Sequence, residues 1–167
     1  MLANDLMIDS YERIKHSVHT VIEDLSEDEL TKRPSENANT IAWLIWHLTR
    51  VQDDHIAGIA DREQIWYQGW YEKFDLPFSK SATGYGQSSD EVAKVKVSSK
   101  LLIEYFDNVH ESTISWIKQL NEGDYSRIVD GSWKPPVTLA VRLVSVIADS
   151  LQHVGQAAYV HGLIKKK

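Results

Sequence analysis

The sequence predicts an all-α chain folded as a four-helix bundle, with a long crossover loop between the second and third helices. Three observations predict it. Apolar residues recur at helical spacing in four long segments. Runs of Ser, Thr, Asn, Gly and Pro separate those segments. Almost nothing alternates with the two-residue period of a strand. The 167 residues fit one domain spanning 1–167, and a chain of that length can bury a core without staples.

The first helix covers roughly residues 4 to 24, where Leu6, Tyr11, Ile14, Val18, Val21 and Ile22 recur, with Leu25 just beyond. A polar connection closed by Pro34 follows. The second helix starts after "SENANT", a run of helix-capping residue types, and covers about 39 to 60. The third begins at "SSDEV", where a capping Ser and two early acids suit the positive helix start. It runs through Val95, Leu101, Leu102, Tyr105, Val109, Ile114 and Ile117 to the stop at Asn121-Glu122-Gly123. The fourth follows Pro135-Pro136, with a proline in its first turn, and reaches about Ile164. Residues 67 to 87 have no clear period yet carry Trp70, Tyr71, Phe74, Phe78 and Tyr85. Such a segment is either a functional loop or an aromatic-anchored crossover.

Composition narrows the function classes. Hydrophobic residues make up 43% and charged residues 25%, an ordinary globular balance. The net charge of −6 opposes nucleic-acid binding as the main activity. The one basic cluster, Lys165 to Lys167, reads as a solvated helix end. There is no cysteine, which excludes disulfides, thiolate metal sites and a cysteine nucleophile. No apolar run approaches the roughly 18 to 20 residues of a membrane span. The N-terminal "MLANDLMIDSYERIK" lacks the apolar centre of a signal peptide. A cytoplasmic protein with neither membrane nor nucleic-acid partner is therefore expected.

Polar residues on apolar helix faces mark the candidate site. Residues i and i+4 on a helix lie about 40° apart, so Asp149 and His153 share a wedge. That wedge also holds Arg142, Val146, Ala157, Val160 and Ile164, and a second stripe holds Leu143, Ile147, Leu151, Val154 and Ala158. The helix is thus expected to be buried on most sides. His47 in turn shares its wedge with Trp43, Leu44, Val51, Asp54 and Gly58. A buried acid and imidazole need each other, a cation or another partner. His47, Asp149 and His153 together make a donor set that suits zinc with an open fourth position; iron(II), nickel and manganese also accept it. A plain hydrogen bond between Asp149 and His153 within the core satisfies the same spacing.

Other polar residues take secondary places. His16, His19 and His110 read as surface or packing residues, and His161 as peripheral. His55 is displaced round the second helix but within two turns of His47. Asp54 points inward and is placed to hold a ligand imidazole. Arg142 is either the salt-bridge partner of Asp149 or an anion anchor for substrate. Trp43, Trp70, Tyr85 and Gln156 complete the residues expected beside the metal or the substrate.

The segments "NTIAWLIWHLTRVQDDHIA", "ATGYGQSSDEV" and "PPVTLAVRLVSVIADSLQHVGQAAYVHG" resemble the DinB-like superfamily, especially its mycothiol-transferase-like branch. That superfamily shares a fold with mycothiol-dependent maleylpyruvate isomerase. The resemblance covers residues 10 to 163, and "WHLTRVQDDH" and "LQHVGQAAY" are its most specific blocks. It implies a divalent metal held by a His on the second helix, matching His47, and by two residues of the last helix, matching Asp149 and His153. Many members carry His at the position of Asp149, and the maleylpyruvate isomerase branch carries Glu; aspartate is shorter than either. The resemblance further implies a homodimer acting as a thiol S-transferase on small electrophiles, with mycothiol, bacillithiol or glutathione as the low-molecular-weight thiol. The alternative is a non-catalytic metal- or ligand-binding stress protein. A diffusible thiol suits a chain without cysteine, because a bound cation can depress the thiol pKa.

Overall fold

Four long helices carry the core: α1 (Ala3–Ile22), α3 (Ile41–Ile59), α6 (Ser99–Ile117) and α7 (Leu139–Lys165). The structure is a computed structural model and describes residues 3–165. Lys165 ends α7 and pairs with Glu29 at 2.9 Å, whereas Lys166 and Lys167 of the basic cluster lie outside the described residues. α1 packs on α6 and α7, and α3 packs on α6 and α7. Thr40 caps α3 by accepting from Trp43 N at 3.1 Å, and every residue from Ile41 to Asp53 is buried. α3 is therefore the central rod, and any polar side chain on it needs an internal partner. No helix among the described residues is long and apolar enough to cross a membrane.

The structure departs from the expected boundaries in four places. The connection before Pro34 contains a short helix, α2 (Glu27–Thr31), started by a reciprocal cap between Ser26 and Glu29. The crossover is structured too, with a 3₁₀ turn at Ile65–Tyr67 and a one-turn helix, α4 (Trp70–Phe74). The cap at "SSDEV" is real, since Ser88 and Glu91 bond reciprocally, yet the helix it starts, α5 (Ser89–Val92), lasts one turn. Val95 and Val97 are buried while Lys96 is exposed, so the chain is extended there and α6 starts afresh behind a Ser98 cap. A β-branched residue every second position outweighed the helical spacing. Lastly, Pro135 and Pro136 precede α7 instead of entering it. A small antiparallel hairpin, β1 (Ile128–Asp130) with β2 (Val137–Thr138), stands between.

α7 is not buried on most sides. Leu143 and Val154 are core residues, but Ala158 is exposed and Leu151 is 48% exposed, together with Val141, Val144, Tyr159 and Leu163. These large exposed residues fall within about 120° on the helix wheel, opposite the core face. An apolar helix with two apolar faces looks the same from sequence whether the outer face is covered by this chain or by something else.

Candidate metal centre

His47 enters the core from the middle of α3 and is 2% exposed. Its Nδ1 lies 2.5 Å from the carbonyl oxygen of Thr83 in the crossover. A carbonyl only accepts, so Nδ1 carries the proton and Nε2 keeps its lone pair free. One turn earlier on α3, Trp43 stacks on the imidazole with ring centroids 4.6 Å apart and planes 13° from parallel. Trp43 is itself fixed, donating from Nε1 to Gln87 Oε1 at 2.7 Å. Tyr85 stands edge-on to His47 at 5.1 Å and is 63% exposed, so it marks the solvent side.

From α7, His153 meets His47 edge-to-face with centroids 4.7 Å apart. His47, Asp149 and His153 each offer one donor atom, and these atoms all lie within 4.8 Å of one another. Asp149 Oδ1 is 3.5 Å from His153 Nε2. That is longer than the about 2.7–3.2 Å of an N–H···O bond, and close to the about 3.4 Å edge of a tetrahedron with zinc–ligand bonds near 2.1 Å. Asp149 Oδ2 and His153 Nδ1 are buried without a hydrogen-bond partner among the described residues. Buried polar atoms are rarely left so. Asp149 and His153 thus do not satisfy each other by a hydrogen bond, and with His47 they form a group that can hold a metal ion.

Burial pushes the His47 pKa below its ordinary value, against the opposing pull of the Thr83 bond; His153 lowers it further and Asp149 raises it. His110, 3% exposed and beside Glu12, is likewise pushed down by burial. Both imidazoles are then disfavoured as cations in the fold but not in the unfolded chain, whose histidines titrate near about 6.5. The stability that these two neutral rings contribute to the metal-free protein is therefore fully present above about pH 6.5 and is lost as pH falls below it. Urea midpoints measured between pH 8 and pH 5 check this. A flat profile through that window would contradict the burial of these two rings as neutral groups.

The remaining expected residues fall into two groups. Trp43 and Tyr85 do flank the donor cluster. Four others make contacts elsewhere. Asp54 accepts from Gln64 Nε2 at 2.8 Å and holds no imidazole, because the Thr83 carbonyl takes that role. Arg142 pairs with Asp130 at 3.1 Å, not with Asp149, since the hairpin missed in the sequence brings Asp130 to it. Trp70 is buried against Tyr105 at 5.5 Å and anchors the crossover. Gln156 is exposed and lines a separate, mostly apolar cleft of about 450 Å³ beside Leu44 and Tyr159. His55 is half-buried and, with Asp54, lines a cleft of about 800 Å³ that also carries Arg62 and Arg127. His19 bonds Asp107 at 2.8 Å between α1 and α6, away from the cluster.

Comparison with known proteins places the fold in a family. A sequence model of the DinB superfamily matches residues 10–157, most of the chain. The chain belongs to the DinB superfamily. It is similar to a conserved protein from Enterococcus faecalis of known crystal structure, with 31% identity and a TM-score of 0.92 over 100% of this chain and 99% of that one. No functionally curated protein matches the chain. The superfamily frame is thus carried by both sequence and structure, and the donor cluster lies within its matched residues up to His153.

Residues that sequence reasoning missed lie beside the cluster. Thr83 contributes only a backbone carbonyl, which no side-chain pattern can reveal. Arg50 and Asp53 were legible in principle: two opposite charges three apart within the buried stretch of the helix, beginning three residues after His47. Gly84 was legible as one of two glycines in "TGYGQ". It has φ +104°, and a Cβ there would come within 2.5 Å of His47 Nδ1.

Proposed function

We propose that this DinB superfamily chain is a metal-dependent thiol S-transferase, or a closely related isomerase, acting on small electrophiles with a low-molecular-weight thiol. The observation that carries the reading is the convergence of two imidazoles and a carboxylate, each offering one donor atom, with all three atoms within 4.8 Å of one another. Three protein donors are the number found in catalytic zinc sites, which keep one position for water or substrate. His47 would bind through Nε2, with Asp149 and His153 completing the set, and zinc matches these donors best. The ion supplies positive charge that holds a thiol in its thiolate form near neutral pH. The chain's own residues then orient and shield. Thr83 fixes the His47 ring, Trp43 walls one side, and Tyr85 offers an exposed aromatic edge against which an apolar electrophile can lie. The sulfur would form its bond to the electrophilic carbon as that carbon's bond to its leaving group breaks, and the departing anion (halide for the probes below) and the thiol proton would both pass to solvent.

The test is turnover of a generic electrophile such as a dinitrohalobenzene or a monochlorobimane-type probe by zinc-loaded protein, with bacillithiol, mycothiol and glutathione in parallel. A rate above background with one of them, lost in His47→Ala, is the expected result; background rates with all three would overturn the reading. A homodimer is part of this proposal. Its support is the exposed apolar arc of α7, with Val141, Val144, Leu151 and Tyr159 facing away from the core. Sedimentation should give a dimer that Leu151→Glu with Tyr159→Glu converts to a monomer; a monomeric unmodified protein would contradict it.

A further inference from the structure

The crossover that touches His47 is pinned by a buried ion pair from the same helix. Arg50, 0% exposed, donates from Nε to the carbonyl of Ala82 at 3.1 Å and from Nη1 to Tyr105 OH at 3.3 Å. Its guanidinium lies over the Trp66 ring, 4.9 Å from the centroid. Asp53, 4% exposed and 3.5 Å from Arg50, accepts from Ile65 N, Trp66 N and Tyr105 OH at 2.8–2.9 Å. Trp66 in turn donates from its ring to the carbonyl of Lys80 at 3.0 Å. Three carbonyls within four residues, those of Lys80, Ala82 and Thr83, are thus gripped by Trp66, Arg50 and His47.

This arrangement is more than packing. Buried ion pairs are weak stabilisers compared with apolar residues of similar volume, so their presence calls for a geometric reason. Arg50 holds the Ala82 carbonyl, in the peptide immediately before the one whose Thr83 carbonyl accepts from His47 Nδ1, so the two peptides are tied down side by side, joined through the Thr83 Cα. Gly84, directly after, passes so close to His47 that only a residue without a Cβ fits. The segment is therefore held at three carbonyls, the last of them on the His47 ring.

We infer that Arg50 is a positioning residue for the metal centre: by gripping Ala82 it aims the Thr83 carbonyl at His47 Nδ1, which leaves Nε2 as the atom presented to the ion. The inference rests on the reading of His47 as a ligand. Partners that orient a ligating imidazole typically govern metal affinity by about 10–100-fold. Arg50 acts one residue removed, so its replacement should weaken zinc binding by about tenfold.

The experiment compares unmodified protein, Arg50→Lys, and the double variant Arg50→Gln with Asp53→Asn, which leaves no unpaired charge in the core. Gln52→Leu, on the same helix as Arg50, serves as control, removing a buried bond to Thr113 of α6 without touching the held segment. Ring ¹⁵N shifts of His47 in the metal-free proteins report the tautomer, and zinc affinity is read by competition with a chromophoric chelator. Unmodified protein and Gln52→Leu should show Nδ1–H alone; both Arg50 variants should show a mixture and bind zinc about tenfold more weakly. Arg50 variants that keep a pure Nδ1–H ring and undiminished affinity would overturn the inference. If unmodified protein binds no zinc, the ligand reading fails instead, and the tautomer comparison still decides whether Arg50 orients the ring.

Discussion

Asp53→Ala should lower folding stability by about 3–5 kcal/mol, a large share of the total for a domain of this size. The carboxylate sits at a crossing of four donors: Arg50 from its own helix, Tyr105 from α6, and the main-chain N–H groups of Ile65 and Trp66. Removing it leaves the Arg50 guanidinium, wholly inaccessible to water, without a counter-charge. It also strands two buried peptide donors, each worth about 1–3 kcal/mol when unpaired. Asp53→Asn keeps an acceptor and should lose less. Urea unfolding followed by Trp fluorescence measures both, and since Trp66 lies on the network, its signal reports the site directly. A cost for Asp53→Ala below about 1 kcal/mol would mean that the crossover is not anchored here.

His153→Ala should have the opposite profile. Without metal the change breaks no hydrogen bond and removes only the ring's packing against Trp43 and His47. With zinc, unmodified protein at about a hundredfold excess over Kd should gain about 2.7 kcal/mol, a rise of roughly 5–10 °C in melting temperature at this chain length. The variant should show none of that rise. If Asp149 and His153 were only a core pair, zinc would move neither melting curve and the variant would be the less stable protein throughout.

Much of this architecture was legible in the sequence. Helical spacing located α1, α3, α6 and α7 because each buries one continuous apolar face. What spacing could not show was where it breaks. Val92 and Val95 are three apart, as in a helix, but the pair Val95 and Val97 around exposed Lys96 is an extended segment, and only tertiary burial distinguishes the two. Similarly, two prolines before α7 are compatible with a helix start and with the hairpin that actually precedes it. The donor cluster was legible for a different reason: His47, Asp149 and His153 are polar groups on otherwise apolar faces, an expensive placement that demands a partner. The partners of those groups were not. Arg142 was read against Asp149 along one helix, whereas Asp130 reaches it across the hairpin. The hold on His47 comes from a loop carbonyl, and main-chain atoms carry no sequence signature. Local periodicity thus reveals which side chains face inward, and the fold alone determines what they meet there.

The central claim is that His47, Asp149 and His153 hold one ion. Calorimetric titration of zinc into metal-stripped protein at pH 7.5, repeated with His47→Ala, tests it most directly. One ion per chain, bound at least a hundredfold more tightly by the unmodified protein than by the variant, is the predicted result. An absence of saturable binding, or the same affinity in both proteins, would contradict it.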